Sequence, residues 1–225
     1  MAAILLRKKK NPQKVVLERF AAVYSNCGFI GIPLVNGVFG SEGVFYLTAY
    51  ITIFNLIAWT HGVIMISGKS DRKSVVKALL SPCVIATALG FILFIFRILL
   101  PEPIYEAINY IAGMNTPMAM MVAGATIAQT DIKKILTKWR IYYTAFFKLL
   151  LMPLSVLLIF GFFDIPRIVL LTTVLVAACP TAATINLFAL KYDKDYKYAS
   201  ELFTMTTLLC AITLPLIMVI ANYII

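Results

Sequence analysis

The chain has 225 residues, of which 61% are hydrophobic and 13% are charged. Soluble domains are about half apolar and about a quarter charged, so this composition excludes an ordinary soluble domain. The net charge of +10 would suit nucleic-acid binding, but the basic residues lie in short clusters between apolar segments, without interleaved aromatic side chains. We therefore predict a single membrane domain over residues 1–225 and no nucleic-acid partner.

Seven apolar segments are long enough to cross a bilayer as helices, which takes about 20 residues each. In chain order they are 20–39, 44–66, 79–100, 104–127, 141–163, 168–190 and 202–225. The connections between them are short, so neighbouring helices must be antiparallel. The predicted fold class is an all-α membrane protein with about seven transmembrane helices.

Charge predicts the orientation of these helices. All but three of the 20 Lys and Arg residues fall in clusters at 7–19, 69–77, 133–140 and 191–197, on alternate connections. The positive-inside rule then places the N-terminus in the cytoplasm and the C-terminus outside a cell membrane. The ten acidic residues lie at span ends or in connections, which argues against coupling to protons or sodium through an intramembrane carboxylate.

The first span contains an interruption. Asn26, Gly31 and Pro33 make its middle a poor continuous helix, because proline removes a backbone donor and crowds the carbonyl of Phe29. Two interpretations remain open at this point. The segment is either a kinked packing face lined by glycine or a break whose freed backbone groups face a polar cavity.

The sixth span repeats the feature. Pro180 lies in mid-membrane and is followed by Thr181, Thr184 and Asn186. Transporters built from inverted repeats carry discontinuous helices at corresponding places in each half, and the half-helix N-termini point at the anionic group of the substrate. Two interrupted spans therefore favour a transporter.

The residues and spacing of these motifs resemble those of the auxin efflux carrier family, which includes plant PIN carriers and bacterial malonate-transporter-like proteins. The resemblance covers essentially the whole chain. Its most specific parts are Asn26-x4-Gly31-x-Pro33 followed by Gly40, then Ser81-Pro82, and Pro180-Thr181 followed by Phe188-Ala189-x-Lys191-Tyr192. It implies ten helices in two inverted five-helix repeats, of which this chain resembles helices four to ten, as in a fragment or truncated product.

The family resemblance also implies a substrate site where the two broken helices cross, with Asn26 matching a carboxylate-contacting asparagine. Lys148 in the fifth span either snorkels to the cytoplasmic interface or faces the cavity as an anion-attracting cation. Asn115 either lines the same cavity or bonds neighbouring helices. The residues predicted to bind substrate are Asn26, Gly31, Pro33, Pro180, Thr181, Thr184, Asn186, Asn115 and Lys148.

The leading hypothesis is a secondary carrier that exports small organic anions such as carboxylates by alternating access. A non-transporting scaffold or sensor and a sodium-coupled symporter of the bile-acid type are the alternatives. No phosphate loop, zinc-protease motif or Ser-His-Asp set can be assembled, so we expect no enzyme, metal or cofactor. The expected partners are the organic anion and the lipid bilayer, with a homodimer as an open alternative to a monomer.

Overall fold

The computed structural model describes residues 12–68, 76, 80 and 82–224, so most of the basic clusters at 7–19 and 69–77 lies outside the described residues. The described chain is almost entirely helical. Three π-helical segments, in which the turn is one residue wider than in an α-helix, interrupt the α-helices at Cys27–Gly31, Ala58–Gly62 and Phe147–Leu151. The α-helices are α1 Pro12–Val23, α2 Ile32–Ile57, α3 Val63–Ser67, α4 Pro82–Ile95, α5 Glu102–Gly113, α6 Asn115–Ala128, α7 Ile132–Leu136, α8 Trp139–Phe146, α9 Met152–Phe160, α10 Arg167–Ala178, α11 Thr184–Lys191 and α12 Tyr196–Ile224.

Gly40 folds the first long helical stretch into a hairpin. The stretch Cys27–Ser67 has 41 residues, about twice what a bilayer core requires if it were straight. Inside α2, Gly40 adopts φ 64° and ψ −157°, a region that essentially only glycine occupies. A Cβ on Gly43 would lie 2.9 Å from Val35 Cγ1, whereas eight residues of straight helix span about 12 Å. The chain therefore turns back at Gly40, between the two spans predicted at 20–39 and 44–66.

The other predicted spans correspond to helices, some of them interrupted. Within the described residues, four helical stretches are long and apolar enough to cross a membrane: Cys27–Ser67, Glu102–Ala128, Trp139–Phe160 and Tyr196–Ile224. Shorter apolar helices, Val84–Ile95 and Arg167–Ala178, lie in the third and sixth predicted spans. Large apolar side chains on α4, α5 and α6 are exposed, as expected of surfaces that face lipid. The all-α membrane fold is confirmed.

One end of the bundle brings together the segments 7–19, 133–140 and 191–197, which carry three of the basic clusters. Lys14 pairs with Asp195 at 3.7 Å, and Lys138 Nζ lies 2.6 Å from Glu201 Oε2. The Arg140 guanidinium pairs with Glu18. These contacts place the start of α1, the connection before α8 and the start of α12 at the same end, as antiparallel spans require.

Two of the paired carboxylates are buried, which their positions at span ends did not predict. The exposed fraction is 0% for Glu18 and 2% for Glu201. The bases that pair with them, Arg140 and Lys138, are both more than a third exposed. The structure thus places the two carboxylates inside the protein beneath their partners.

Candidate functional site: the crossing of two broken helices

Two interruptions of the helices meet near the middle of the bundle. The first break comprises residues 24–26, between α1 and the first π segment, and the second comprises residues 179–183, between α10 and α11. The N–H of Asn26 donates to the carbonyl of Pro180 at 2.7 Å, and the N–H of Ala182 donates to the carbonyl of Tyr24 at 2.9 Å. Backbone groups that leave the helices therefore satisfy one another, as membrane depth demands. We call this region the crossing.

The first break lies seven residues before Pro33, which corrects our expectation of a break near that proline. Pro33 instead follows the first π segment, in the first turn of α2. The carbonyl of Asn26 accepts from both Ile30 and Gly31, at 3.2 and 3.1 Å, which widens the turn. A wide turn absorbs the missing donor and the crowding that proline imposes. The fifth span shows the same arrangement, where Pro153 follows the third π segment.

Gly31 packs against the second break. A Cβ on Gly31 would lie 3.8 Å from Cys179 Sγ and 3.7 Å from Cys27 Cβ, which is ordinary van der Waals contact. Gly31 therefore contributes close packing at the crossing, and its role in binding substrate stays a prediction.

Lys148 brings a cation to the crossing. Its side chain is 1% exposed, and Nζ donates to Ser25 Oγ and, at 3.3 Å, to the carbonyl of Ala177. Ser25 belongs to the first break, and Ala177 lies in the last turn of α10, two residues before the second break. Because the ammonium is directed inward, the snorkelling interpretation of Lys148 is wrong. The wide turn of the third π segment contains this residue.

The three polar residues predicted in the sixth span have different surroundings. The Thr181 hydroxyl donates to the carbonyl of Ala21 at 3.1 Å, and its N–H donates to Thr206 Oγ1 at 3.2 Å, so Thr181 ties the second break to α1 and α12. The Thr184 hydroxyl is buried and has no hydrogen-bond partner in the described part of the chain. Asn186 Oδ1 accepts from Ser200 at 3.3 Å and thus faces α12.

The Asn26 side chain lies at the start of the second half of the first broken helix. The residue is buried, and its amide does not cap the helix that follows. The backbone bonds of that half-helix begin at the N–H of Ile30. Gly28 lies in the first turn of this half-helix, before Ile30. Nothing lies within 4 Å of a Cβ built on Gly28, so this turn borders open space. Amides in the first turn of a helix lack intrahelical acceptors and attract anions.

Asn115 begins α6, which packs beside the first π segment. The residue is half-buried, and the structure gives it no contact that assigns it to the crossing. Its prediction as a cavity-lining residue therefore stays a prediction.

Sequence reasoning missed residues at and beside the crossing. Ser25 accepts a hydrogen bond from Lys148, and Thr206 accepts one from the N–H of Thr181. The Tyr24 hydroxyl lies 2.7 Å from His61 Nδ1 in the second π segment. Each of the three π segments thus contributes to the crossing or contacts it, and such segments are frequent at functional sites. Two features of the sequence could have indicated these segments: the run of poor helix formers before Pro33, and the proline at 153.

Comparisons with known proteins show the family of the chain. The family model described as "Membrane transport protein" matches residues 1–76 and 68–218. An "Uncharacterized transporter" of Methanothermobacter thermautotrophicus is 29% identical over 199 residues, covering 87% of this chain and 65% of that protein. A "Putative malonate transporter" of Rhizobium meliloti is 26% identical over 221 residues, covering 93% of this chain and 68% of that protein. The chain thus spans about two thirds of the length of these relatives.

Proposed function

The chain belongs to the membrane transport protein family, and we propose that it forms the substrate site of a carrier for small carboxylate anions. Membership confirms the family resemblance predicted from the sequence and identifies a transporter, as opposed to an enzyme. The malonate named for the Rhizobium relative supports a dicarboxylate as the first substrate to test.

The observation that carries the proposal is the buried ammonium of Lys148 at the crossing. A cation inside a membrane protein loses the solvation of water, a cost of several kcal/mol that its hydrogen bonds offset only in part. Its two partners, Ser25 Oγ and the carbonyl of Ala177, are uncharged. A carboxylate bound beside Nζ would neutralise this charge, which gives a physical reason to retain a lysine here.

Neutral donors around the same place would hold the rest of the substrate. The Asn26 amide has two donors and no charge, so it can bind a carboxylate without trapping it. The first-turn amides near Gly28 add the positive end of a helix dipole. The Thr184 hydroxyl, buried without a partner among the described residues, is a further donor or acceptor that substrate could satisfy.

In this proposal the anion passes by alternating access, with the two broken helices presenting the site to each side in turn. The two half-helices would be equivalent parts of inverted repeats. The membrane potential of a negative-inside cell favours export of a monoanion by about 2.3 kcal/mol of free energy per 100 mV, so export needs no coupling ion.

The proposal is tested by reconstituting the complete carrier that contains this chain into liposomes and measuring uptake and binding of radiolabelled malonate. We expect saturable flux that other small carboxylates inhibit and neutral amides do not. Asn26→Ala should weaken binding by roughly 10- to 150-fold, since hydrogen bonds to charged groups are typically worth about 1.5 to 3 kcal/mol. Absence of saturable flux for any carboxylate would favour a scaffold or sensor.

A matched control makes this substitution interpretable. Asn222→Ala makes the same chemical change far from the crossing, where Asn222 Oδ1 accepts from Arg167 at 3.4 Å. It should leave affinity unchanged. If Asn26→Ala lowers thermal stability but not affinity per folded molecule, Asn26 only joins helices and the site assignment fails.

A further inference from the structure

Glu18 is the most completely satisfied carboxylate among the described residues, although no part of the proposed transport reaction uses it. Its Oε1 accepts from Arg140 Nε at 2.7 Å and from the Tyr198 hydroxyl at 2.7 Å, and its Oε2 accepts from Arg140 Nη2. The side chain is fully buried. Three elements, α1, α8 and α12, thus meet at one carboxylate.

Such an arrangement is poorly explained by stability alone. Desolvating two charges can cost more than their attraction returns, and apolar residues of similar volume often stabilise a fold equally well. Buried ion pairs are better attested as devices that fix a register between elements. The Glu18 contacts therefore suggest that the position of α1 relative to α8 matters.

The spacing of contacts shows what that position controls. Ser25 lies seven residues after Glu18, about two helical turns, and Lys148 lies eight residues after Arg140. The helices therefore run side by side with two polar contacts, Glu18 with Arg140 and Ser25 with Lys148. The third π segment begins at Phe147, so Lys148 lies in its wide turn, where Nζ reaches Ser25.

We infer that Glu18 is a positioning residue of the substrate site: through Arg140 and Tyr198 it holds α1 in the register that aligns the first break with Lys148. This inference rests on the proposed function. A further pair on α1, Lys14 with Asp195, lies at 3.7 Å between side chains more than a third exposed, so it contributes little.

A second buried carboxylate in the same end of the bundle provides the matched control. Glu201 is 2% exposed, and both of its oxygens accept from Lys138 Nζ at 2.6 Å. This pair joins the start of α8 to α12. Glu201→Gln therefore makes the same chemical change as Glu18→Gln at a contact between α8 and α12.

The experiment measures amide hydrogen exchange at residues 24–31 and 180–186 in the complete carrier, together with KM and kcat for malonate. In Glu18→Gln, the amides of Asn26 and Ala182 should exchange about tenfold faster or more, the effect of losing one charged hydrogen bond. KM should rise more than kcat falls, because the site loses alignment while its binding groups remain. Glu201→Gln should leave exchange at the crossing and KM unchanged, even if its thermal stability falls.

The possible failures can be told apart. Faster exchange at the crossing with an unchanged KM would show that Glu18 positions the first broken helix. It would also show that malonate does not bind at the crossing, which would overturn the proposed function. Unchanged exchange in Glu18→Gln, or equal acceleration by Glu201→Gln, would overturn the inference. If Glu18→Gln does not fold, Tyr198→Phe removes one hydrogen bond and keeps the ion pair, and it should accelerate the same amides by a few-fold.

Discussion

Replacing Lys148 with methionine separates a substrate-binding role from a structural one, because the two roles predict opposite changes in stability. Removing a lysine that serves the fold destabilises the protein, whereas removing one that serves binding leaves its stability unchanged or raised. Methionine keeps the length and apolar stem of lysine but removes the charge. The substitution deletes the hydrogen bonds from Nζ to Ser25 and Ala177. It also removes the cost of holding an ammonium in a site that is 1% exposed.

The balance of these terms can be estimated. Two hydrogen bonds from a charged donor are worth about 1.5 to 3 kcal/mol each, while the penalty of burying the ion amounts to several kcal/mol. Replacing even a buried ion pair with apolar groups of similar volume is often neutral or stabilising by about 1 to 4 kcal/mol. We therefore expect Lys148→Met to leave the unfolding temperature unchanged or raised. Its affinity for malonate should fall by roughly tenfold or more.

The assay is thermal unfolding of purified protein in detergent over a malonate titration, which reports both stability and affinity. Ser25→Ala is the control, because it removes a partner and keeps the charge. It should destabilise the protein by about 1.5 to 3 kcal/mol. If Lys148→Met is strongly destabilised while its affinity per folded molecule is unchanged, the lysine serves the fold and our reasoning about the anion site is refuted.

Three further predictions concern the hairpin, the second break and the topology. Gly40→Ala should lower the free energy of unfolding by about 1 to 3 kcal/mol because of its backbone angles, whereas Gly37→Ala, in regular helix with open space around it, should be neutral or stabilising in the same melts. Thr184→Val and Thr172→Val each remove a buried hydroxyl without a partner in the described chain, so both should stabilise by about 1 kcal/mol, and only Thr184→Val should weaken malonate binding in calorimetry. A reporter fused to the C-terminus should report an external location, and a cytoplasmic signal would contradict the orientation inferred from the basic clusters.

The sequence alone determined the membrane class, the approximate number of spans and the two interrupted helices. These features depend on local composition, since a bilayer requires about 20 apolar residues per helix and proline disrupts the backbone wherever it stands. Lys148 was predicted as a site residue for the same reason, as a charged group in an apolar segment, whereas the role of Asn26 was predicted from the family resemblance. The basic clusters likewise predicted that the segments 7–19, 133–140 and 191–197 share one end of the bundle.

Only the tertiary structure decided where the first helix breaks and where the polar side chains point. The break at residues 24–26 is stabilised by partners in the second break, and Thr181 bonds Ala21 across 160 positions of sequence. The inward direction of Lys148 depends on Ser25, and the burial of Glu18 depends on Arg140. Local patterns do not encode such pairings, because each partner becomes available only once distant helices have packed together.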